Sequence, residues 1–571
     1  MLFKKLGVFM PLLLCAYNIN TLSNSKYWHI LGHYKNGVSE IDSKNFFLSK
    51  NGKYSPKEEL KATIRRLTHP KAKDDNSVYC RFPARREWIK KEIPSLKIIP
   101  QNCKELKKEL NAIKDVTSIT LVFPTILMNS PASMFGHTLL RLDESNGDYL
   151  NSFAVNYAAY TDESNGLIYA YKGLTGGYIG KYAIVPYYKK ISEYNDIKSR
   201  DIWEYKLNLD KKEINRLKLH LFEIKNTYSK YYYFNKNCSY EILWLLEAAR
   251  PGLDIVYKFD YKVLPIDTIK EAKKEHLIVS SRFRPSKKRV ILYYFNKIEH
   301  KTKALEFLKK DNFNIIKNLP THEKEYILDF AIEMLNYKYL SKQIKRSIYL
   351  KNYISLLKKR STLPKEKPLH ITPPQNPINS HNSNKFWGYG KEGSILLGFK
   401  PAFHYTDDLN TGFSPGAYID FFVTQIRINP DRLDYFYLFR INSLTKRDEI
   451  FKPVSWSVAL GAKRFKNDRL YMFLTPSFGF TYSNLYAFKA GVEDYLREKN
   501  YFGGNIEFYT EKNFNNAKIT FDIKRHFFDF KTYNSIKSMF ILRMDKNTNL
   551  NIGYEKNINE NYFFAGISFY L

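Results

Sequence analysis

The last third of the chain alternates apolar and polar residues, whereas the part before it does not. The alternation starts after Ser383 and runs through GSILLGFKPAFHY, GAYIDFFVTQIRI, RLYMFLTPSFGFTY and the final YFFAGISFYL, with Asn, Asp, Gly and Lys between segments. Alternating strands of about ten residues that are rich in Tyr and Phe are typical of a transmembrane β-barrel. We therefore predict an antiparallel barrel of roughly eight to twelve strands over residues 384–571. A soluble sandwich or lipocalin-like barrel shares this alternation and is the alternative.

Helical spacing marks two other regions. Residues 25–115 contain SPKEELKATIRRLTHP and CKELKKELNAIKD, which predict a helical N-terminal domain. Residues 261–365 are rich in lysine and repeat at helical spacing, as in KALEFLKKDNFNIIKNL, and predict a helical connector. The proline-rich residues 366–383 predict a linker that ends this region.

Residues 116–260 mix short strands with two predicted helices, which makes the part before the barrel an α+β structure. The first predicted helix is KKEINRLKLHLFEIKNTYSKYY, and the second lies in NKNCSYEILWLLEAARPG. Asn237 is a natural N-cap for the second helix, and Pro251 and Gly252 end it. Cys238 is therefore predicted to lie in the first turn of a helix.

Cys238 and His137 carry the candidate chemistry. The partial positive charge at a helix start lowers the pKa of a thiol and favours the nucleophilic thiolate. His137 lies in MNSPASMFGHTLLRLD, at the start of an alternating strand, and a histidine is the base that activates such a thiol. The alternative is that Cys238 is a small buried hydrophobe and His137 an ordinary hydrogen-bonded side chain. The position of the thiol beside Asn237 and Ser239, off the apolar stripe, favours the catalytic interpretation.

Several segments resemble the Lnb-type periplasmic family, whose members include lipoprotein N-acyltransferases. These segments are SMFGHTLLRLD, SFAVNYAAYT, KGLTGGYIGKY, RDIWEY and NKNCSYEILWLLEAARPG, within residues 115–255. The order of His137 before Cys238, and the Asn-Cys pair at the helix start, also resemble circularly permuted papain-like enzymes such as the NlpC-type group. The resemblance implies a permuted papain-like domain over residues 116–260, with a thiol site for acyl transfer or amide cleavage.

A catalytic triad needs a third group that orients the imidazole. Asn156, in LNSFAVNYAAY, is the first candidate, and Asn151 and Ser152 are the alternatives. Backbone N–H groups at the start of the Cys238 helix would bind the oxyanion, with Asn235 and Ser239 as polar neighbours that could assist.

A set of predicted substrate-binding residues surrounds the triad. In the context of the resemblance, a glycine-rich stretch would form a flap over the thiolate, because glycine allows close approach of the backbone. A set of ordinary turns is the alternative for these glycines, and Arg200, Asp201 and Trp203 in RDIWEY are interpreted as structural. The predicted substrate-binding residues are Gly173, Gly176, Gly177, Gly180, Asn237 and Ser239.

Export changes the interpretation of the charge. The chain has 571 residues and a net charge of +34. Its first 16 residues contain Lys4 and Lys5 followed by an apolar stretch too short to span a bilayer, which predicts a signal peptide. Lipidation of Cys15 is disfavoured because Leu14 occupies a position that needs a small residue. In an exported protein, dispersed lysines indicate anionic lipid head groups and lipopolysaccharide as partners. No zinc-finger or RNP pattern supports a nucleic-acid partner.

Removing the signal peptide leaves three cysteines. In an oxidising compartment, Cys80 and Cys103 are predicted to form a disulfide, which keeps the Cys238 thiol free. Other pairings among three cysteines are the alternatives.

Other motifs are incomplete, and the sequence predicts neither a metal site nor a cofactor. The segment GFSPG at residues 412–416 matches a nucleophile elbow, but a strand pattern follows it instead of a helix. TGGYIGKY lacks the first P-loop glycine, and HEKEY lacks the second histidine of a zincin. His381-Asn382-Ser383 resembles the His-x-Ser pair of outer-membrane phospholipase but lies in the predicted linker.

These observations predict an exported protein anchored in the outer membrane of a Gram-negative-type cell, with its catalytic domain facing the periplasm. The resemblance implies that Cys238 would move a phospholipid acyl chain to an amine, such as a lipoprotein N-terminus. A papain-like peptidase or amidase acting on cell-wall or peptide substrates is the first alternative. A non-catalytic envelope protein is the second.

Overall fold

The computed structural model describes residues 18–128, 133–161, 163, 165–364, 369–482 and 485–571. The predicted signal peptide and residues 366–368 of the predicted linker lie outside the described residues. The chain divides into two compact units. The first comprises residues 1–125 and 135–371, and the second comprises residues 126–134 and 372–571.

The α-helices of the described residues all belong to the first unit. In chain order they are α1 Ile19–Ser23, α2 Lys26–Leu31, α3 Pro56–Thr68, α4 Val78–Arg81, α5 Pro83–Glu92, α6 Lys104–Ala112, α7 Gly166–Thr175, α8 Tyr187–Ile191, α9 Lys211–Ile224, α10 Cys238–Ala249, α11 Pro265–Lys274, α12 Lys287–Lys297, α13 Lys301–Lys310, α14 Thr321–Leu340 and α15 Arg346–Ser361. Each described helix is too short or too polar to cross a lipid bilayer.

The helical N-terminal region is held by local caps and by one covalent link. Ser55 caps α3 by accepting the backbone N–H of Glu58 at 3.3 Å, which satisfies a donor that the helix leaves unpaired. Cys80 and Cys103 form the predicted disulfide, with Cα atoms 5.3 Å apart and 23 residues between them in sequence. Closing a loop of this length stabilises the fold by roughly 3 kcal/mol in the chain-entropy account. The free cysteine among the described residues is Cys238.

An antiparallel sheet of seven strands forms the centre of the first unit, in the order β8-β6-β5-β4-β3-β7-β9. Its strands, with the preceding small hairpin β1 Tyr34–Lys35 and β2 Val38–Ser39, are β3 Val116–Pro124, β4 Leu139–Glu144, β5 Phe153–Tyr160, β6 Tyr178–Pro186, β7 Ile202–Leu207, β8 Tyr228–Tyr231 and β9 Ile278–Arg284. Helix α10 packs on β4, which begins two residues after His137, and on β5, which contains Asn156.

The structure adds elements in this unit that the sequence analysis did not assign. Residues 261–365 were predicted as a helical connector, and β9 within them joins the central sheet as an edge strand beside β7. Its sequence, IVSSRFR, contains too few apolar residues to show a strand pattern. Residues 116–260 were expected to contain two helices, but α7 and α8 also form. The apolar and glycine-rich sequence of α7, GLIYAYKGLT, does not repeat at helical spacing in the way that an ordinary surface helix does.

The second unit is a closed antiparallel barrel. Its strands are β10 Lys385–Lys391, β11 Ser394–Lys400, β12 Ala402–His404, β13 Ala417–Ile428, β14 Arg432–Ser443, β15 Ser455–Arg464, β16 Leu470–Tyr482, β17 Tyr486–Leu496, β18 Tyr501–Asn513, β19 Ala517–Phe528, β20 Lys531–Arg543, β21 Thr548–Lys556 and β22 Asn561–Tyr570. The C-terminal strand β22 pairs with β10, and β11 pairs with β13, which closes twelve strands into a ring. The short β12 pairs only with β13. The barrel and the α+β fold class are therefore confirmed.

The barrel has an apolar outside and a polar inside. Along β16, the residues that point outward are exposed and mostly apolar or aromatic, among them Leu474 and Phe478. Charged side chains on other strands point inward and pair there, as Lys489 does with Glu507 at 2.8 Å. This distribution is the one that a barrel needs when lipid surrounds it and polar groups fill its interior.

Candidate active site

Cys238 is the first residue of α10, and Asn237 caps the helix at that point. The Asn237 Oδ1 accepts the backbone N–H groups of Ser239 and Tyr240 at 2.9 and 3.2 Å. The Asn237 Nδ2 donates to the backbone oxygens of Tyr233 and Val263 at 2.9 and 2.8 Å. The Asn237 amide thus fixes the start of the nucleophile helix, and its predicted substrate-binding role stays a prediction.

His137 and Asn156 lie on the sheet that α10 packs against. His137 stands just before β4 and Asn156 lies within β5, and both are buried. The His137 Nε2 is 2.6 Å from the Asn156 Oδ1. The two alternative third residues point elsewhere: Asn151 Nδ2 donates to Asp148 Oδ2 at 2.5 Å, and Ser152 Oγ donates to the Asp148 backbone oxygen at 3.2 Å. Of the three predicted candidates, the structure brings Asn156 to the imidazole.

His137 also reaches the thiol. Burial alone would raise the pKa of Cys238, but the charge of His137 and a hydrogen bond to its side chain lower it to about 7. Smaller hydrogen bonds from the Thr138 backbone and the Ser239 side chain act in the same direction. Since Asn156 occupies Nε2, the nitrogen left to face Cys238 is Nδ1. A thiol with this pKa carries a large thiolate fraction at neutral pH, which is what nucleophilic catalysis requires.

Tyr231 is a site residue that the sequence analysis missed. It ends β8, and its hydroxyl hydrogen-bonds the backbone N–H of Cys238. Burial, followed by the charge of the Cys238 thiolate, raises the pKa of Tyr231 well above its usual value, so the hydroxyl stays protonated. The Cys238 N–H donates to the Tyr231 hydroxyl oxygen. An oxyanion that takes the place of this oxygen would receive the N–H, with the Tyr231 O–H as a second donor beside it. The string YYY before the cysteine was the available signal, but sequence alone does not say which ring turns inward.

The predicted polar helpers lie at different distances from the thiol. Ser239 is buried, with its Oγ 4.0 Å from Cys238 Sγ and 3.2 Å from the hydroxyl of Thr138. Asn235 accepts the backbone N–H of Lys236 at 2.9 Å. Ser239 therefore lies beside the thiol, and Asn235 contacts the loop before the helix.

A layer of tyrosines surrounds the thiol and the imidazole. The Tyr194 ring centroid lies 5.4 Å from that of His137. Burial raises the pKa values of Tyr169 and Tyr194, and the charge of the Cys238 thiolate contributes to both shifts. The thiol is thus enclosed by phenol rings as well as by the helix and the sheet.

Arg200 places a buried cation in the same region. It donates to the backbone oxygens of Thr125 and Pro124 at 2.5 and 2.7 Å, and its guanidinium lies 5.1 Å from the Tyr194 ring centroid. Burial lowers the pKa of Arg200 to about 10, whereas the charges of Tyr194 and Cys238 act in the opposite direction. The sequence analysis interpreted Arg200 as structural. The structure agrees on its backbone contacts and adds an attraction to the thiolate.

The four predicted flap glycines are positions of close packing. A Cβ built at Gly173, Gly176 or Gly180 would lie within 2.5 Å of a tyrosine ring atom, and one at Gly177 would lie 3.0 Å from Lys172. The alternative interpretation as a set of turns fits Gly176 and Gly177, because these two residues join α7 to β6. It does not fit Gly173, which lies in the helix, or Gly180, which lies in the strand. The Gly176 φ of +75° also requires glycine.

A buried polar cluster lies on the same helix as the thiol. Glu241, one turn after Cys238, accepts the hydroxyl hydrogen of Tyr182 at 2.8 Å, and burial raises the pKa of Glu241 to about 8. The Glu241 Oε2 is 3.8 Å from His33 Nδ1, and His33 Nε2 is 3.1 Å from His220 Nε2. This cluster connects the N-terminal helices to the nucleophile helix through buried groups.

Within the part of the chain that the structure describes, two groups of side chains come close enough to share a cation. They are His381 with His404 and Asp408, and Glu299 with His300 and Glu323. In the first group the Asp408 carboxylate already pairs with Lys385 at 2.9 Å and with Lys400. Two ammonium groups on the only carboxylate make this group a poor fit for a metal ion.

Comparison with known proteins gives a family match over the region that contains Cys238. Residues 106–275 match the family model described as the Lnb N-terminal periplasmic domain. Three further models, each described as a domain of unknown function, match residues 20–92 (DUF7843), 281–372 (DUF7842) and 374–557 (DUF7840). The search of curated proteins found no match to the chain.

The Lnb match contains His137, Asn156 and Cys238. It indicates a protein associated with the cell envelope, and a C-terminal β-barrel beside a periplasmic domain fits an outer-membrane protein. The chain therefore carries a domain of the Lnb N-terminal periplasmic family, followed by a twelve-stranded antiparallel β-barrel.

Proposed function

We propose that this protein is a thiol acyltransferase that moves a phospholipid acyl chain through Cys238 to an amine, such as the N-terminus of a lipoprotein. The observation that carries the proposal is the arrangement of Cys238, His137 and Asn156. A buried thiol has its pKa lowered to about 7 by a histidine, and an asparagine holds that histidine at 2.6 Å. These are the three roles of nucleophile, base and orienting group.

The first step forms an acyl-enzyme. The Cys238 thiolate attacks the ester carbonyl carbon, and the backbone N–H of Cys238 and the Tyr231 hydroxyl stabilise the oxyanion that develops. The C–O bond of the ester then breaks. The protonated His137 imidazole gives its Nδ1 proton to the leaving oxygen, so that a lysophospholipid departs and a thioester remains on Cys238.

The second step transfers the chain. A neutral amine attacks the thioester carbonyl, His137 takes the proton that the nitrogen loses, and the C–S bond breaks to give an amide and the free thiolate. An amine competes with water for this intermediate. Burial of the site supports transfer, because Cys238 and His137 are 4% and 8% exposed and water reaches them poorly.

The barrel supplies the location in this proposal. It anchors the chain in the outer membrane with the Lnb domain on the periplasmic side, so that phospholipid substrate and lipoprotein acceptor lie in the adjacent leaflet. The net charge of +34 favours contact with anionic head groups and lipopolysaccharide. Nucleic acid is not a partner of an exported protein of this kind.

Product analysis tests the proposal. The full chain is incubated in vesicles with acyl-labelled phospholipid and a diacylated lipopeptide, beside a Cys238→Ala control. We expect an N-acylated lipopeptide and lysophospholipid from the wild type only, with a rate that rises with pH toward the amine pKa of roughly 8. Release of labelled fatty acid, or cleavage of muropeptides, at a rate that ignores the lipopeptide would reject transfer and favour the papain-like hydrolase. If no product depends on Cys238, the result would favour a non-catalytic binding protein.

A further inference from the structure

Helix α7 presents an apolar face to solvent. Ile168, Tyr171 and Leu174 are spaced at i, i+3 and i+6, which places them within one third of the helix circumference. They are 43%, 68% and 45% exposed. Tyr160 and Ile179, on the two strands that flank the helix in sequence, are cross-strand partners and are exposed as well. Contiguous exposed apolar side chains of this kind mark a surface that contacts a partner or a membrane.

The segment that contains this helix is rich in lysine, with Lys172 paired to Glu163 at 3.5 Å and Lys190 paired to Glu193 at 2.8 Å. Residues 166–191 contain four lysines and no Asp or Glu. Lys181 lies over the Tyr160 ring, 4.9 Å from its centroid. Lysines beside exposed tyrosines and aliphatic side chains are the composition of a segment that lies in a bilayer interface, with the ammonium groups among anionic head groups.

The opposite side of the same helix packs against the tyrosines near the thiol. Tyr169 packs between Tyr178 and Tyr233, with ring centroids 5.3 and 5.6 Å away, and the Tyr233 hydroxyl donates to the Tyr169 backbone oxygen at 3.2 Å. The Tyr169 phenol is close enough to Cys238 to feel the charge of its thiolate. One helix therefore joins the exposed apolar face to the buried nucleophile.

We propose that α7 is the membrane-docking element of the Lnb domain: Ile168, Tyr171 and Leu174 insert into the interface of an anionic phospholipid bilayer, and Tyr169 opens the route from that interface to Cys238. This inference rests on the proposed phospholipid chemistry and names the surface that takes the substrate. A bilayer fits the charge, because residues 166–191 contain four lysines and no Asp or Glu, and lysines beside exposed apolar side chains attract anionic head groups.

Membrane docking can be measured by fluorescence in a protein that lacks the catalytic thiol. A single cysteine replaces Tyr171 in full chain that also carries Cys15→Ala and Cys238→Ala, and it is labelled with an environment-sensitive NBD dye. The matched control places the dye at Tyr54, an exposed tyrosine on the N-terminal segment of the same unit, 64% exposed. Both proteins are reconstituted in vesicles of phosphatidylethanolamine and phosphatidylglycerol with doxyl-labelled lipid, and Leu174→Cys serves as a second reporter on α7.

We expect a blue shift of NBD emission and quenching by doxyl lipid at both α7 positions, and neither at the Tyr54 position. Emission at α7 equal to that at the control would overturn the docking proposal. So would a blue shift at α7 without doxyl quenching, which would assign the face to a second copy or another protein. Because Cys238→Ala abolishes catalysis, this readout is independent of the proposed function.

A second measurement connects docking to substrate supply. In wild type and in Tyr171→Ser, turnover of vesicle phospholipid is divided by turnover of a water-soluble short-chain nitrophenyl ester. We expect Tyr171→Ser to lower this ratio at least fivefold, and Tyr54→Ser to leave it unchanged. An unchanged ratio in Tyr171→Ser would overturn the role of α7 while leaving acyl transfer intact. Docking without phospholipid turnover in any variant would instead reject the proposed function.

Discussion

His137 and Asn156 are joined by a contact of 2.6 Å between the imidazole Nε2 and the amide Oδ1. With the amide oxygen facing the ring, Nε2 carries the hydrogen of the neutral imidazole, and Nδ1 is free to take a proton from Cys238. A single side chain on the neighbouring strand β5 thus sets both the orientation of the base and the nitrogen that acts.

Replacing Asn156 by Ala should lower kcat while the chain stays folded. Loss of the orienting contact lets the ring rotate away from the thiol, and removal of such a group costs on the order of 10²–10⁴ in rate. Turnover of a soluble acyl ester measures it. Asn151→Ala is the matched control, because that exposed amide donates to Asp148 and not to His137 in the described residues, and its loss should leave the rate unchanged. Equal rates in the two variants would remove Asn156 from the site.

The reactivity of Cys238 should depend on His137. Burial raises the thiol pKa and His137 more than offsets this, which gives the value of about 7. Alkylation by iodoacetamide should therefore follow a titration with its midpoint near 7 in the wild type. In His137→Ala the midpoint should move above the ordinary thiol value of about 8.5. Labelling rates over pH 5–10 measure this, and a midpoint that is the same in both proteins would contradict the pairing.

Glu241 should make the first unit less stable as pH rises. Burial raises the pKa of its carboxyl from 4.5 to about 8, so the folded state holds a proton that the unfolded state releases. The associated stability is complete below pH 4.5 and is lost as pH rises through 8. The loss is at most about 1.4 kcal/mol per pH unit for one proton.

Glu241→Gln removes that dependence while keeping the size of the side chain. We expect the urea midpoint of the first unit, followed by proteolysis, to fall less between pH 6 and pH 9 in the variant than in the wild type. Glu247, whose pKa burial raises to about 7, stays in both proteins and cancels from the comparison. Parallel curves for the two proteins would mean that Glu241 is ionised in the folded state.

A charged substitution on the lipid-facing surface of the barrel should destabilise the barrel. Phe478 lies near the middle of β16 and is 63% exposed on the outer face. Phe478→Arg should destabilise the barrel by about 2–4 kcal/mol, because a bilayer does not solvate a guanidinium at that depth. Heat-modifiable migration after refolding into vesicles measures the effect. Tyr54→Arg, also an exposed aromatic position, is the control, and equal tolerance of both would place β16 in water.

The sequence predicted the parts of this fold that local patterns determine. The barrel follows from strand alternation, the disulfide from compartment and cysteine count, and the position of Cys238 from the cap and the helix stop. His137 and Asn156 could be named because the segments that hold them resemble a known family. The distance between these two side chains could not be predicted, because it depends on the pairing of β4 with β5.

Contacts between distant parts of the chain account for what was missed. Tyr231 reaches the Cys238 N–H because β8 sits beside β6 at the edge of the sheet, and no local pattern marks that pairing. Strand number in the barrel was predicted only as a range, since ring closure through β11 and β13 is a property of the whole barrel. The close packing of the α7 and β6 glycines against tyrosine rings could not be predicted, because such packing leaves no pattern in the sequence.

Acyl-enzyme formation is the most direct test of the central claim. Wild-type protein in vesicles is mixed with phospholipid and no amine, digested, and the peptide that contains Cys238 is weighed by mass spectrometry. We predict an added acyl chain on Cys238 that disappears when diacylated lipopeptide is supplied, as the N-acylated product forms. A Cys238 peptide that never gains the chain, or an acylated lipopeptide formed equally well by Cys238→Ala, would contradict the account.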